Sequence, residues 1–336
     1  MSSITRRHFI LSSLGLLAFK PRKPHVVTIR GEMPAAKMGT TLVHEHFLVD
    51  FIGADKISTD RWDLDTVVEK ILPYLLEAKA QGVQTILDCT PEFLGRDVRL
   101  FKILSEKTGI NILANTGYYG AVGYKFLPEW AFTETAEQLA ARWVAEAKNG
   151  IGGTDIKPGF MKIGVNGGEL SELETKLVTA AGLAHLETGL TICSHTGPAL
   201  AAFGQIAVLQ KMGIQPDAFV WVHAQSELKK HTYTQAAKLG AWVSLDGIGW
   251  GDFENYANWL DTLKANDCLH RVLISHDAGW YDPEKPNGEN IVGYKNIFQK
   301  LIPLLERKGF KSRHLERLLV KNPAEAFAVR VRWGTD

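Results

Sequence analysis

The chain has 336 residues, 45% of them hydrophobic and 22% charged, with a mean hydropathy of −0.07. That balance excludes a disordered chain, a collagen-like repeat and a multispanning membrane protein. Thirty-eight Lys and Arg against 37 Asp and Glu leave a net charge of +1, which gives no bulk electrostatic case for a nucleic-acid partner.

No acid occurs before Glu32. Arg6 and Arg7 precede Phe9 and an apolar run over 10–19, about half of the 20 or so residues that a membrane span requires. Residues 1–24 therefore read as a twin-arginine export signal with a periplasmic destination, and no stable membrane span is expected. A short strand is expected over 25–30. From residue 38 onward, short β-branched runs alternate with amphipathic stretches. The expected strands are 40–49, 83–89, 110–116, 159–164, 190–195, 218–223, 241–246 and 271–277. Residues 64–80 carry Leu64, Val67, Val68, Ile71, Leu72 and Leu75 on one helical face. Gly82, Gly109, Gly189, Gly213 and Gly240 stand where a helix should stop and the next strand begin. Eight such units predict an α/β fold of the (β/α)8 TIM-barrel type, a single domain over 25–336. The absence of G-x-G-x-x-G after the first strand weakens the alternative, an open doubly wound sheet.

Barrels of this kind build their sites from the C-terminal strand ends. Strand 1 closes on His44-Glu45-His46, whose imidazoles, two residues apart, share a side. Lys162 ends strand 4, His195 strand 5, His223 strand 6 and Asp277 strand 8. Any one of these residues alone reads as a capped or half-buried structural residue; six converging from five strands read as a metal centre. Neutral imidazole and carboxylate suit zinc and similar divalent ions. A cationic Lys162 would repel them, but its carbamate, formed with CO₂, could bridge two. His276 alternates with Asp277 and should face the helices. Cys193 should pack inside the barrel two residues before His195. Cys89 and Cys268 suggest no partner, and the three cysteines are too widely spaced for a disulfide framework or a zinc ribbon. Asp97 should sit in the first turn of the helix after strand 2.

On the segment Thr41 to His46 (TLVHEH), Lys162, His195, His223, Ser275-His276-Asp277 and Gly95-Arg96-Asp97, the chain resembles the phosphotriesterase family of the amidohydrolase superfamily, from Thr28 to Ala324. The resemblance implies a binuclear site. His44, His46 and Asp277 would hold a buried ion and His195 and His223 an exposed one, most simply zinc, bridged by carbamylated Lys162 and a hydroxide. The hydroxide would attack an ester, lactone or phosphotriester-type bond of a small-molecule substrate, and Asp277 would take its proton. A homodimer is also implied. Two departures stand out: Gly247 and Ser226 occupy positions where efficient phosphotriesterases carry histidine and aspartate, and lactonases carry arginine at the first. Tyr118-Tyr119 is similar to a lactonase tyrosine near the exposed metal. Tyr118, Tyr119, Trp250, Trp280 and Tyr281 are expected to contact substrate, with the long loop 279–288 acting as a lid. A mononuclear deaminase of the same superfamily has no use for Lys162, and a non-catalytic binding protein has no need of six intact ligands. Metal content of two ions, one or none separates the three.

Overall fold

The computed structural model describes residues 23–334, so the export signal read over 1–24 lies almost wholly outside the described residues. A hairpin of His25–Thr28 with Gly31–Pro34 precedes the barrel. Eight parallel strands follow: β1 (Thr41–Leu48), β2 (Thr85–Asp88), β3 (Asn111–Leu113, resumed after Ala114 as Asn115–Thr116), β4 (Phe160–Gly164), β5 (Ile192–His195), β6 (Phe219–Val222), β7 (Trp242–Leu245) and β8 (Val272–Ile274). Each pairs with the next in sequence. Beyond β8 the circle shuts where Asp277 N–H donates to His44 O at 3.0 Å and His46 N–H to Ala278 O at 2.8 Å. The expected (β/α)8 barrel is the fold observed.

Helices α1 (Leu64–Ala80), α2 (Val98–Thr108), α3 (Ala136–Asn149), α4 (Glu172–Thr188), α5 (Ala199–Lys211), α6 (His231–Lys238), α7 (Phe253–Ala265) and α8 (Ile302–Arg307, continuing a π-helical turn over Ile297–Leu301) form the outer ring. Asp97 caps α2, accepting from Arg99 N at 3.0 Å, while Arg96 pairs with Glu146 at 2.6 Å, so the Gly95-Arg96-Asp97 segment is structural. Among the described residues, no helix is long and apolar enough to cross a membrane.

Strand alternation divides the core in two. Ile86, Ile112, Ile163, Trp221 and Val243 face the helices. Leu87, Leu113, Phe160, Cys193, Val220 and Trp242 fill the barrel from within, with Phe327 sealing its floor. Burial pushes the Cys193 thiol up to about 12, which leaves it an inert filler. Because Phe160 and Cys193 point inward, Lys162 and His195 two residues on must do so as well, above a dry apolar plug.

Simple alternation does not deliver every site residue. Val43 faces inward, which would turn His44 outward, but a register irregularity between Leu42 and Glu45 re-aims the strand so that His44 and His46 both face the mouth. Val222 also faces inward; the left-handed backbone of His223, φ 59°, swings its ring back over the barrel axis. Asp277 adopts a left-handed backbone too, φ 53°. Three of the positions expected at the site thus depart from regular geometry, the pattern expected where strain is held for function.

The lid expected over 279–288 is instead anchored. Gly279–Tyr281 forms a strand on β1, pairing Gly279 with His46 and Tyr281 with Leu48. A Cβ at Gly279 would lie 1.6 Å from His46 O, so only glycine permits this approach.

Candidate metal centre

At the C-terminal mouth, His46 Nε2 lies 3.3 Å from His44 Nε2 and 3.2 Å from Asp277 Oδ1, and His44 Nε2 lies 3.6 Å from the same oxygen. Lys162 Nζ approaches His44 Nε2 to 3.4 Å. The His195 and His223 rings meet edge to face with centroids 4.5 Å apart, and His223 stands 4.9 Å from His44. All six residues expected at the site line one cavity of about 230 Å³.

Three of the four imidazoles have a polar partner behind them. Thr90 Oγ1 holds His46 Nδ1 at 2.8 Å, and Asp88 accepts from Thr90 N at 2.9 Å and from Phe47 N at 2.8 Å. Asp246, wholly buried just past β7, accepts from His223 Nδ1 at 2.8 Å and lies 3.3 Å from His44 Nδ1. It also accepts from His223 N at 3.1 Å and Gln225 Nε2 at 3.1 Å. Engaged this way, Asp246 fixes the tautomer and plane of His223 and leaves its Nε2 free, and it stands beside His44 Nδ1, the carboxylate–histidine support expected of a metal site. The sequence reading missed Asp246. The available signal was position: it ends strand 7 as His223 ends strand 6. Asp246→Asn should weaken metal affinity by about 10- to 100-fold with the fold intact. Chelator competition checks this, and unchanged affinity would remove Asp246 from the support shell.

The electrostatics leave most ligands in their binding forms. Burial, reinforced by the Lys162 charge, lowers His44 to about 3, and burial with the His223 charge holds His195 well below the ordinary histidine value. Burial opposes ionisation of Asp277, but the close approach of His46 Nε2 and the charges of His223 and His44 outweigh it, so the carboxyl stays below its usual range. His223 differs: burial works against its protonation, yet Asp246 outweighs burial and raises its pKa.

Two polar groups have no use in a metal-free barrel. Asp277 Oδ1 is buried without a hydrogen-bond partner. Lys162 is 1% exposed, and among the described residues no carboxylate lies within ion-pair distance of it. Each would be a costly defect on its own. Both are accounted for if Asp277 binds a cation and Lys162 carries an anionic bridging group, so the donor set fits divalent metal. His44, His46 and Asp277 present ligand atoms within 4.8 Å of one another.

The expected substrate contacts divide. Tyr119 lies edge-on to His195 at 4.9 Å, and Trp280 packs on His46 at 5.0 Å and stacks on Phe51 at 5.5 Å; all three line the cavity. Burial raises the Tyr119 pKa, so it remains a phenol and a hydrogen-bond donor. Tyr118 is turned the other way, between Phe93 and Trp143, with its hydroxyl accepting from Trp130 Nε1 at 3.2 Å, and it does not reach the cavity. Trp250 and Tyr281 do not line it either. Trp250 is 60% exposed and donates its indole N–H to Asp277 O at 2.8 Å, whereas Tyr281 is buried against Gly288. Phe51 and Phe126 were missed, being unremarkable loop aromatics in the sequence. His276 is structural as expected: Nδ1 lies 2.9 Å from Glu45 Oε1, and Nε2 accepts from Ile297 N at 3.0 Å.

Histidine and carboxylate donors gathered at the open end of a parallel barrel define a candidate divalent-metal site of the kind barrel enzymes carry. The phosphotriesterase family model matches residues 24–327, and the chain belongs to that family. The Escherichia coli phosphotriesterase homology protein is 31% identical over 293 residues, covering 86% of this chain and 98% of that protein. An aryldialkylphosphatase of Saccharolobus solfataricus is 27% identical over 302 residues, 87% of this chain and 95% of that one. The crystal structure of a lactonase from Listeria monocytogenes superposes with a TM-score of 0.78 at 26% identity, over 91% of this chain and 99% of that chain.

Proposed function

We propose that the protein is a binuclear metal-dependent hydrolase of esters or lactones, with phosphotriesters as a side activity. The observation that carries this reading is the pairing of an unbonded buried carboxylate oxygen at Asp277 with a buried, unpaired lysine one histidine away. His44, His46 and Asp277 would hold one ion, His195 and His223 the other, and carbamylated Lys162 would join them, with zinc the natural choice for this donor set. Such a centre supplies a Lewis acid for the scissile oxygen and a water acidified to about neutral pH. Asp277 faces the site with a free oxygen and can receive a proton there. Tyr119 can donate a hydrogen bond to the substrate oxygen beside His195. Phe51, Phe126 and Trp280 exclude water from the acyl or alkoxy arm.

A deaminase would need a further acid to protonate its heterocycle; among the described cavity-lining residues Asp277 is the sole carboxylate. Metal analysis combined with a hydrolysis screen over lactones, aryl esters and phosphotriesters tests the proposal. Two ions per chain with lactone or ester turnover support it, and a metal-free or inert protein overturns it. Export by the twin-arginine route is also proposed, on Arg6, Arg7 and the apolar run behind them, and cell fractionation reads it out.

Trp280→Ala should change the ranking of substrates far more than metal content. Trp280 and Trp250 donate to the same Asp277 carbonyl, each at 2.8 Å, so removing one leaves the Asp277 backbone held. An equal loss on every ester would mean that Trp280 only packs.

A further inference from the structure

Outside the ligand set, the described cavity wall carries a single charged side chain, Lys125. Everything else there is apolar or aromatic apart from Cys89 and the Tyr119 hydroxyl. Lys125 is exposed at the mouth, and its Nζ lies 5.6 Å from the centre of the Phe126 ring. Its main chain is fixed by Ala54 N–H, which donates to Lys125 O at 3.1 Å. Asp55 and Lys125 flank Gly53, and no carboxylate among the described residues comes within ion-pair distance of the ammonium. Phe126 in turn packs on Tyr119 at 5.8 Å and on Phe51 at 6.2 Å; Tyr119 continues to His195, and Phe51 through Trp280 to His46, so a chain of aromatic rings joins the lysine to the candidate metal centre on both sides. The cavity, about 230 Å³, is smaller than the 300–1,000 Å³ or so of pockets for drug-sized ligands.

A cation beside an aromatic ring, in the wall of the small, otherwise apolar chamber that holds the candidate metal centre, is suited to the second end of a substrate. Resting on the hydrolase reading, we propose that the natural substrate is a short ester or lactone with an anionic group, carboxylate or phosphorus oxyanion, on an arm a few bonds from the scissile carbonyl. Lys125 receives that anion while the arm lies against Phe126 and Tyr119. Lys125 is thus a specificity-determining residue and takes no part in bond cleavage.

The test compares kcat/KM for the mono-4-nitrophenyl ester of glutaric acid with that for 4-nitrophenyl butyrate, on metal-loaded protein at low salt. The anionic ester should be preferred. Lys125→Ala should cut that preference about tenfold, mainly through KM, the worth of one charge-assisted contact. Lys125→Arg should keep it, Lys125→Glu should reverse it, and about 0.5 M salt should narrow it by screening. A preference that is the same in wild type, Lys125→Ala and Lys125→Glu overturns the proposal. Calorimetric binding of glutarate against butyrate reads the site without turnover: the second carboxylate should tighten binding in wild type and not in Lys125→Glu. Substituting 3-phosphonopropionate for glutarate shows which oxyanion is preferred. Lys125-dependent glutarate binding without cleavage of either ester would sink the hydrolase reading and leave the anion site standing. Ester cleavage with no response to charge would do the reverse.

Discussion

Lys162→Ala should lose most bound metal, from two ions per chain to one or fewer, and hydrolysis should fall by at least about 10²-fold, beyond the range for losing a residue that merely supports a ligand. Lys162 is anchored in the middle of β4 with its amine 3.4 Å from His44 Nε2, and no anion is available to it within the described protein. A buried ammonium in that position opposes cation binding, whereas a carbamate supplies two anionic oxygens to it. Added propionate or bicarbonate should therefore restore part of the metal and part of the rate to the alanine variant, because a small acid can enter the vacated space and bridge in its place. Elemental analysis with and without the additive reads the effect directly. Full occupancy and a normal rate in Lys162→Ala would end the binuclear reading. An unfolded variant would be recognised by circular dichroism, and Lys162→Glu, which keeps an anionic group on the chain, then serves in its stead and should retain metal.

The barrel was legible because its signals are local and repeated. Each strand is a short apolar run, each helix shows a 3.6-residue period, and glycines stand between them; Gly109 and Gly189 end α2 and α4 in the left-handed conformation as expected. The six residues that line the candidate site were legible because histidine, lysine and aspartate are conspicuous at the ends of apolar strands. The supporting groups escaped because nothing in their neighbourhood marks them: Asp246 and Thr90 act through partners that only the closed barrel brings near. Tyr118 and Tyr119 show a further limit. Strand parity could not decide between them, because Gly117, φ 120°, turns the chain between β3 and its loop. A Cβ there would lie 2.4 Å from Lys162 O, so the turn also carries loop 3 directly beside the lysine strand. The outcome, Tyr119 inward and Tyr118 against Trp143, is set by that turn and by the space between α3 and the barrel.

Asp277→Asn separates holding metal from moving a proton. In the wild type, Oδ1 is shared between the His44 and His46 Nε2 atoms at 3.6 and 3.2 Å, and Oδ2 faces His223 Nδ1 at 4.0 Å. The carboxyl stays ionised despite its burial because the nearby His46 Nε2 and the neighbouring histidine charges outweigh desolvation. Asparagine keeps the shape and one coordinating oxygen but carries neither charge nor basicity. The backbone should hold its left-handed turn, since Trp250 and Trp280 clamp the carbonyl at this position and His44 O accepts its N–H. Metal should remain, bound more weakly, while kcat falls by about 10²–10⁴, the usual range for loss of a general acid–base group. The loss should be smallest for aryl esters with good leaving groups, where proton transfer limits the rate least. If Asp277→Asn turns over lactones at the wild-type rate with both ions bound, Asp277 is a ligand alone. The proton acceptor must then be sought outside the metal set, because His223 gives Nδ1 to Asp246 at 2.8 Å and would give Nε2 to the ion.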